Sequence, residues 1–154
     1  MGNVFYYQTE LGTIGIAEDN EKITHLFFEG EKFSETGYEK YESPAIKEAG
    51  KQLKEYFNGS RREFDLPLAP TGTEFMLRVW KALQTIPYGE TRSYKEIAEL
   101  AGNSKACRAV GMTNNRNPIS IIIPCHRVIG ANGDLVGYGG GLDKKVYLLD
   151  LERR

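Results

Sequence analysis

The chain has 154 residues, 40% of them hydrophobic, and a net charge of −1. That length allows one ordinary domain or two small ones, the apolar content excludes a disordered chain, and no window nears the roughly 18 uninterrupted apolar residues of a transmembrane helix. The charge is split: residues 1–70 carry 8 basic and 13 acidic side chains and residues 71–154 carry 12 and 8, so two halves with different tasks are expected, the basic one suited to a polyanion.

In the first half, residues 4–9, 12–17 and 22–29 are rich in aromatic and β-branched side chains and are separated by turn residues. They predict an antiparallel meander of three strands. Residues 31–42 are polar and read as a loop. Ser43 is a suitable N-cap and Pro44 suits the first helical position. Ile46, Ala49, Gly50, Leu53 and Phe57 then form one apolar stripe, and Asn58-Gly59 stops the helix. Residues 62–68 read as a further strand, and Leu66 to Gly72, with two prolines, reads as a linker. His25, the only histidine of this half, sits in an apolar strand with no cysteine nearby in sequence, so a packed residue is expected and not a ligand.

In the second half, Phe75, Leu77, Val79, Trp80 and Leu83 predict a helix over 73–84, limited by Pro87. Ser93 with Glu96 is a capping box opening a short helix that Gly102 stops. Ser104 is the expected cap of a third helix reaching about residue 114. Two short helices joined by a glycine-containing turn are a helix-turn-helix pattern. The third helix carries small residues, Ala106, Cys107, Ala109 and Gly111, around one long cation, Arg108. That pattern suits close approach to a duplex and equally suits tight helix packing. Asn132-Gly133 predicts a hairpin turn, which makes the pair a winged variant. A last helix is expected over 142–153.

Residues 121–129 read Ile-Ile-Ile-Pro-Cys-His-Arg-Val-Ile. Three isoleucines predict a short buried strand, and Pro124 bends it just before a thiol, an imidazole and a guanidinium. A nucleophile benefits from stiff backbone of this kind; a core cysteine beside a surface histidine is the plainer alternative. Cys107 and Cys125 are too few for a disulfide framework, and with no signal peptide visible at the N-terminus they point to free thiols in a reducing cytoplasm. A hydrolase dyad of Cys125 and His126 requires a bend, because neighbours on extended backbone point apart.

The motif Pro124-Cys125-His126-Arg127-Val128, preceded by Asn117-Pro118 and followed by Gly140-Gly141-Leu142, resembles the methylated-DNA–protein-cysteine methyltransferases, the O6-alkylguanine-DNA alkyltransferases. The likeness extends over residues 73–154, through Tyr88-Gly89-Glu90-Thr91, Ser93-Tyr94 and Arg108-Ala109-Val110. Residues 1–70 resemble the family in length and strand–helix order. The resemblance implies an α+β fold: a small ribonuclease-H-like α/β domain over 1–70 that supports a winged helix-turn-helix domain over 71–154. It implies that Cys125 is the nucleophile, that His126 takes its proton through a water, and that Glu152 orients the histidine. Tyr94 would protonate the departing guanine and help rotate the nucleotide out. Arg108 would fill the vacated space, with Ala106, Ala109 and Gly111 of the same helix against the minor groove. Asn117 would brace the turn before the active site, and Val128, Tyr138 and Gly139 would line the guanine pocket, Gly139 standing where some members have serine. The implied partner is double-stranded DNA containing O6-alkylguanine, with O4-methylthymine as a further substrate, read by a monomer with no membrane, cofactor or metal. The thioether product would not be released, so each molecule would act once. Two other readings remain open at this point: a winged-helix damage sensor without catalysis, and a thiol hydrolase.

Overall fold

The computed structural model describes residues 2–34, 36–135, 138 and 140–154. The chain divides into two compact units, Met1–Pro70 and Thr71–Arg154. No helix among the described residues is long and apolar enough to cross a membrane.

The first unit is a four-stranded sheet with one helix. Strands β1 (Gly2–Thr9), β2 (Gly12–Asp19) and β3 (Lys22–Phe28) pair antiparallel in the predicted meander. A fourth strand, β4 (Tyr38–Lys40), pairs parallel to β1 and completes the order β3-β2-β1-β4. The polar stretch expected as a loop therefore contributes an edge strand, too short for a periodic pattern to reveal it. Helix α1 (Pro44–Phe57) begins as predicted: Ser43 Oγ accepts from Ile46 N–H at 3.3 Å. Its buried side is Ile46, Ala49, Gln52, Leu53, Tyr56 and Phe57. Gly50 is a matter of space, since a Cβ there would come within 2.7 Å of the Tyr7 ring. Residues 62–68 do not form the expected strand. Only Leu68 bridges to Ile23, because Pro67 and Pro70 withhold the donors a longer ladder needs. Gln52 secures this segment instead, donating to Asp65 C=O and accepting from Asp65 N–H.

The second unit contains α2 (Glu74–Leu83), β5 (Arg92–Ser93), α3 (Tyr94–Leu100), α4 (Cys107–Asn115), a single 3-10 turn over Cys125–Arg127, β6 (Val128–Ile129) and α5 (Leu142–Glu152). The mixed α+β architecture expected from the sequence is present. Thr73 caps α2, and Ser93 and Glu96 form the predicted capping box of α3. Helix α4 starts later than expected. Asn103 Oδ1 accepts from Lys105 N–H at 3.1 Å and Asn103 C=O accepts from Ala106 N–H at 3.0 Å. That turn uses up the chain, so Ser104 caps nothing and α4 has no side-chain cap. The turn at Asn132-Gly133 forms, closed by Gly130 N–H to Asp134 C=O at 2.8 Å. Residues 136 and 137, on which the expected hairpin would continue, lie outside the described residues.

The isoleucine run is buried but is not a strand. Ile123 N–H donates to Ile119 C=O and Ile122 N–H to Ser120 C=O, which winds the segment into a turn with Ile121 at φ +70°. A β-branched residue in that region carries backbone strain of about 1–3 kcal/mol and persists only where its surroundings fix it. Asn117 supplies part of that fixing: its Nδ2 donates to Ile123 C=O at 2.7 Å and its Oδ1 accepts from Ile119 N–H at 3.0 Å.

Candidate active site

The wound turn delivers Cys125 onto the 3-10 turn with its backbone held on both sides. Its N–H donates to Ile123 C=O at 2.7 Å, and its C=O accepts from Asn114 Nδ2 at 3.2 Å and from Val128 N–H. β6 then leaves in parallel with β5, pairing Val128 with Arg92. Pro124 therefore does end the apolar run, and the bend becomes a helical turn. The thiol is buried, at 3% exposure.

His126 is fully buried, and its Nε2 lies 2.7 Å from Oε2 of Glu152. Glu152 is the last residue of α5, and Arg127 clamps it from Nε to Oε1 at 2.8 Å and from Nη2 to Oε2 at 2.9 Å. The third arm of the guanidinium, Nη1, donates to Ile86 C=O at 2.7 Å, and the Tyr88 ring lies 5.8 Å away. Burial by itself raises the pKa of the Glu152 carboxyl, but the hydrogen bonds from His126 and Arg127, with their charges, outweigh it and hold Glu152 well below the usual carboxylate range. Burial lowers the pKa of His126, and the positive charges of Arg127 and Lys145 add to that against the opposing pull of Glu152. The imidazole is thus neutral at pH 7. An ionised carboxylate only accepts, so Nε2 carries the ring proton and Nδ1 keeps a lone pair. That Nδ1 is buried and has no hydrogen-bond partner among the described residues.

Two more groups surround Cys125. Lys145 of α5 is fully buried and its Nζ donates to Val128 C=O at 2.6 Å. Burial lowers its pKa, while the charge on Cys125 works the other way. Tyr94 opens α3, half-buried, near Gly111 of α4. Burial raises the pKa of its hydroxyl and the negative charge on Cys125 raises it further, so it remains a phenol with a proton to give. In α4, Arg108 and Ala109 are exposed and Gly111 half-buried, as is Ala106 just before the helix. Arg108 has no ion pair or hydrogen bond among the described residues. Tyr138 and Val128 are buried; Gly139 lies outside the described residues.

The sequence profile of the family described as 6-O-methylguanine DNA methyltransferase, DNA binding domain, matches residues 74–154. The profile of its ribonuclease-like domain matches residues 5–70. This chain belongs to the O6-methylguanine DNA methyltransferase family. A methylated-DNA–protein-cysteine methyltransferase of Methanosarcina acetivorans is 53% identical over 148 residues, covering 95% of each chain. The constitutive enzyme of that name from Bacillus subtilis is 48% identical, covering 95% of this chain and 92% of its own. The Mycobacterium tuberculosis OGT, solved in complex with DNA, is 47% identical with a TM-score of 0.92, covering 98% of this chain and 92% of that one.

In this methyltransferase the structure brings Cys125, His126, Glu152, Tyr94, Asn117 and Val128 around the 3-10 turn. Arg108 and Ala109 lie along α4, and Ala106 immediately precedes it. Three participants were not singled out from the sequence. Arg127 reads as one member of the Pro-Cys-His-Arg motif, yet it fixes Glu152. Lys145 reads as one more surface lysine, although it precedes Glu152 by seven residues and so shares its helical face. Asn114 reads as the tail of a helix. Only the fold reveals that it reaches the Cys125 carbonyl.

Proposed function

We propose that this methyltransferase repairs DNA by moving the alkyl group from O6 of guanine onto its own Cys125, once per molecule. Residues 71–154 carry the duplex and the thiol, and residues 1–70 support them. DNA lies along α3 and α4, the small residues Ala106, Ala109 and Gly111 allowing close approach to the minor groove. The damaged base leaves the stack, which costs a few kcal/mol, and Arg108 takes its place. Val128 and Tyr138 line the pocket that receives the guanine.

The chemistry is a displacement at carbon. Cys125 gives its proton through a water to His126 Nδ1, and Glu152 steadies the resulting imidazolium. The sulfur attacks the alkyl carbon, a C–S bond forms, and the C–O6 bond breaks with its electron pair going to the purine. Tyr94 gives the departing guanine a proton. The thioether that remains has no leaving group that water or a second thiol can displace, so the chain is spent. O4-methylthymine offers the same electrophilic carbon.

The observation that carries this reading is the buried neutral His126, its Nε2 on an ionised Glu152 and its Nδ1 buried without a partner among the described residues. The test is a titration of a duplex containing one O6-methylguanine with increasing protein, the strand being analysed for restored guanine. One lesion should be repaired per chain. Repair of many lesions per chain, or repair by Cys125→Ala, would overturn the reading.

A further inference from the structure

Asn114 lies near the C-terminal end of α4 and is 2% exposed. Its Nδ2 donates to Cys125 C=O at 3.2 Å, while its Oδ1 is buried with no partner among the described residues. Turning the amide over would set Oδ1 against the carbonyl oxygen, so the bond fixes the orientation. An apolar side chain would fill this space without leaving an acceptor unpaired. The amide is therefore accounted for by the one bond it makes.

That bond completes the immobilisation of Cys125. Val128 N–H takes the other lone pair of the same carbonyl, and Cys125 N–H is held by Ile123 C=O. The residue before Asn114 is anchored too: Trp80 Nε1 of α2 donates to Thr113 C=O at 3.1 Å. The end of α4 is thus fastened to α2 at residue 113 and to the reactive turn at residue 114. Asn117 does something different, since its amide closes the turn on itself, between Ile119 and Ile123.

We infer that Asn114 is a positioning residue that fastens the backbone of Cys125 to α4, so that the thiol is aimed relative to the helix carrying Arg108. This rests on the alkyl-transfer reading and deepens it. Asn114 acts through Cys125 and touches no substrate atom.

The test compares Asn114→Asp, which keeps the shape and removes the donor, with Asn114→Ala. Both should slow transfer from O6-methylguanine duplex and from free O6-benzylguanine by the same factor, about 10- to 100-fold, with duplex affinity retained. Labelling of Cys125 by iodoacetamide should change in parallel. Wild-type rates in either folded variant, or a loss confined to duplex binding, would overturn the inference, as would failure of both variants to fold. Iodoacetamide reads how the thiol is presented without any alkylguanine. If the wild-type chain transfers no alkyl group while its labelling still depends on Asn114, the positioning stands and the function does not.

Discussion

His126 Nε2 and Glu152 Oε2 lie 2.7 Å apart in a region closed to solvent, and the same carboxylate is gripped twice by Arg127. The pair sets a protonation state as well as a position. Both groups have depressed pKa values in the fold. Each therefore adds stability that is complete above its unfolded pKa and is lost as pH falls toward its folded value. Stability should be level near neutral pH, begin to fall below about 6.5, where the histidine of the unfolded chain takes up a proton, and fall further below about 4.3, where the glutamate of the unfolded chain does. Thermal melts across this range should show Glu152→Gln losing less at the acid end. At neutral pH the same variant should be less stable by about 3–5 kcal/mol, because Arg127 is left buried without its counter-charge.

Lys145 is the buried cation that feels the charge on Cys125. In Lys145→Met the pH dependence of alkyl transfer should move to more alkaline values, making transfer about tenfold slower at neutral pH. Raising the pH should recover most of that loss. A pH-rate profile that is lowered without being displaced would deny Lys145 this role.

Arg108 is exposed on α4. If it fills the space left by a flipped base, Arg108→Ala should slow repair of duplex by at least the few kcal/mol that unstacking costs, about 100-fold. Reaction with free O6-benzylguanine, which needs no flipping, should be nearly unchanged. Equal losses with the two substrates would reject the assignment.

Tyr94 should lose its contribution with a single oxygen. Tyr94→Phe keeps the ring beside Gly111 and removes the proton the leaving guanine needs, so single-turnover transfer should fall about 100-fold or more. Electron-poor leaving groups, which need the proton less, should suffer less. A loss that is uniform across leaving groups would point to DNA contact instead.

Local signals in this chain were readable where one side chain acts on its own neighbours. Ser43 with Pro44, and Ser93 with Glu96, predict helix starts because the bonds they make span three residues. The thiol and its histidine were visible because they stand side by side, and family resemblance pointed to Glu152. Distant partners were not legible. Three isoleucines favour a strand locally, but Asn117 and the carbonyls of Ile119 and Ser120 wind them into a turn, with Ile121 at φ +70°. Ser104 looks like a cap until Asn103 closes an earlier turn. Lys145 and Asn114 gain their meaning from Val128 and Cys125, which only the fold brings to them.

The most direct measurement is the intact mass of the protein after reaction with an excess of duplex bearing O6-methylguanine, followed by peptide mapping. Alkyl transfer to Cys125 predicts a gain of one methyl group per chain, located on that residue, and no further reaction. A mass that stays unchanged while lesions disappear, or a methyl group found on another residue, would contradict it.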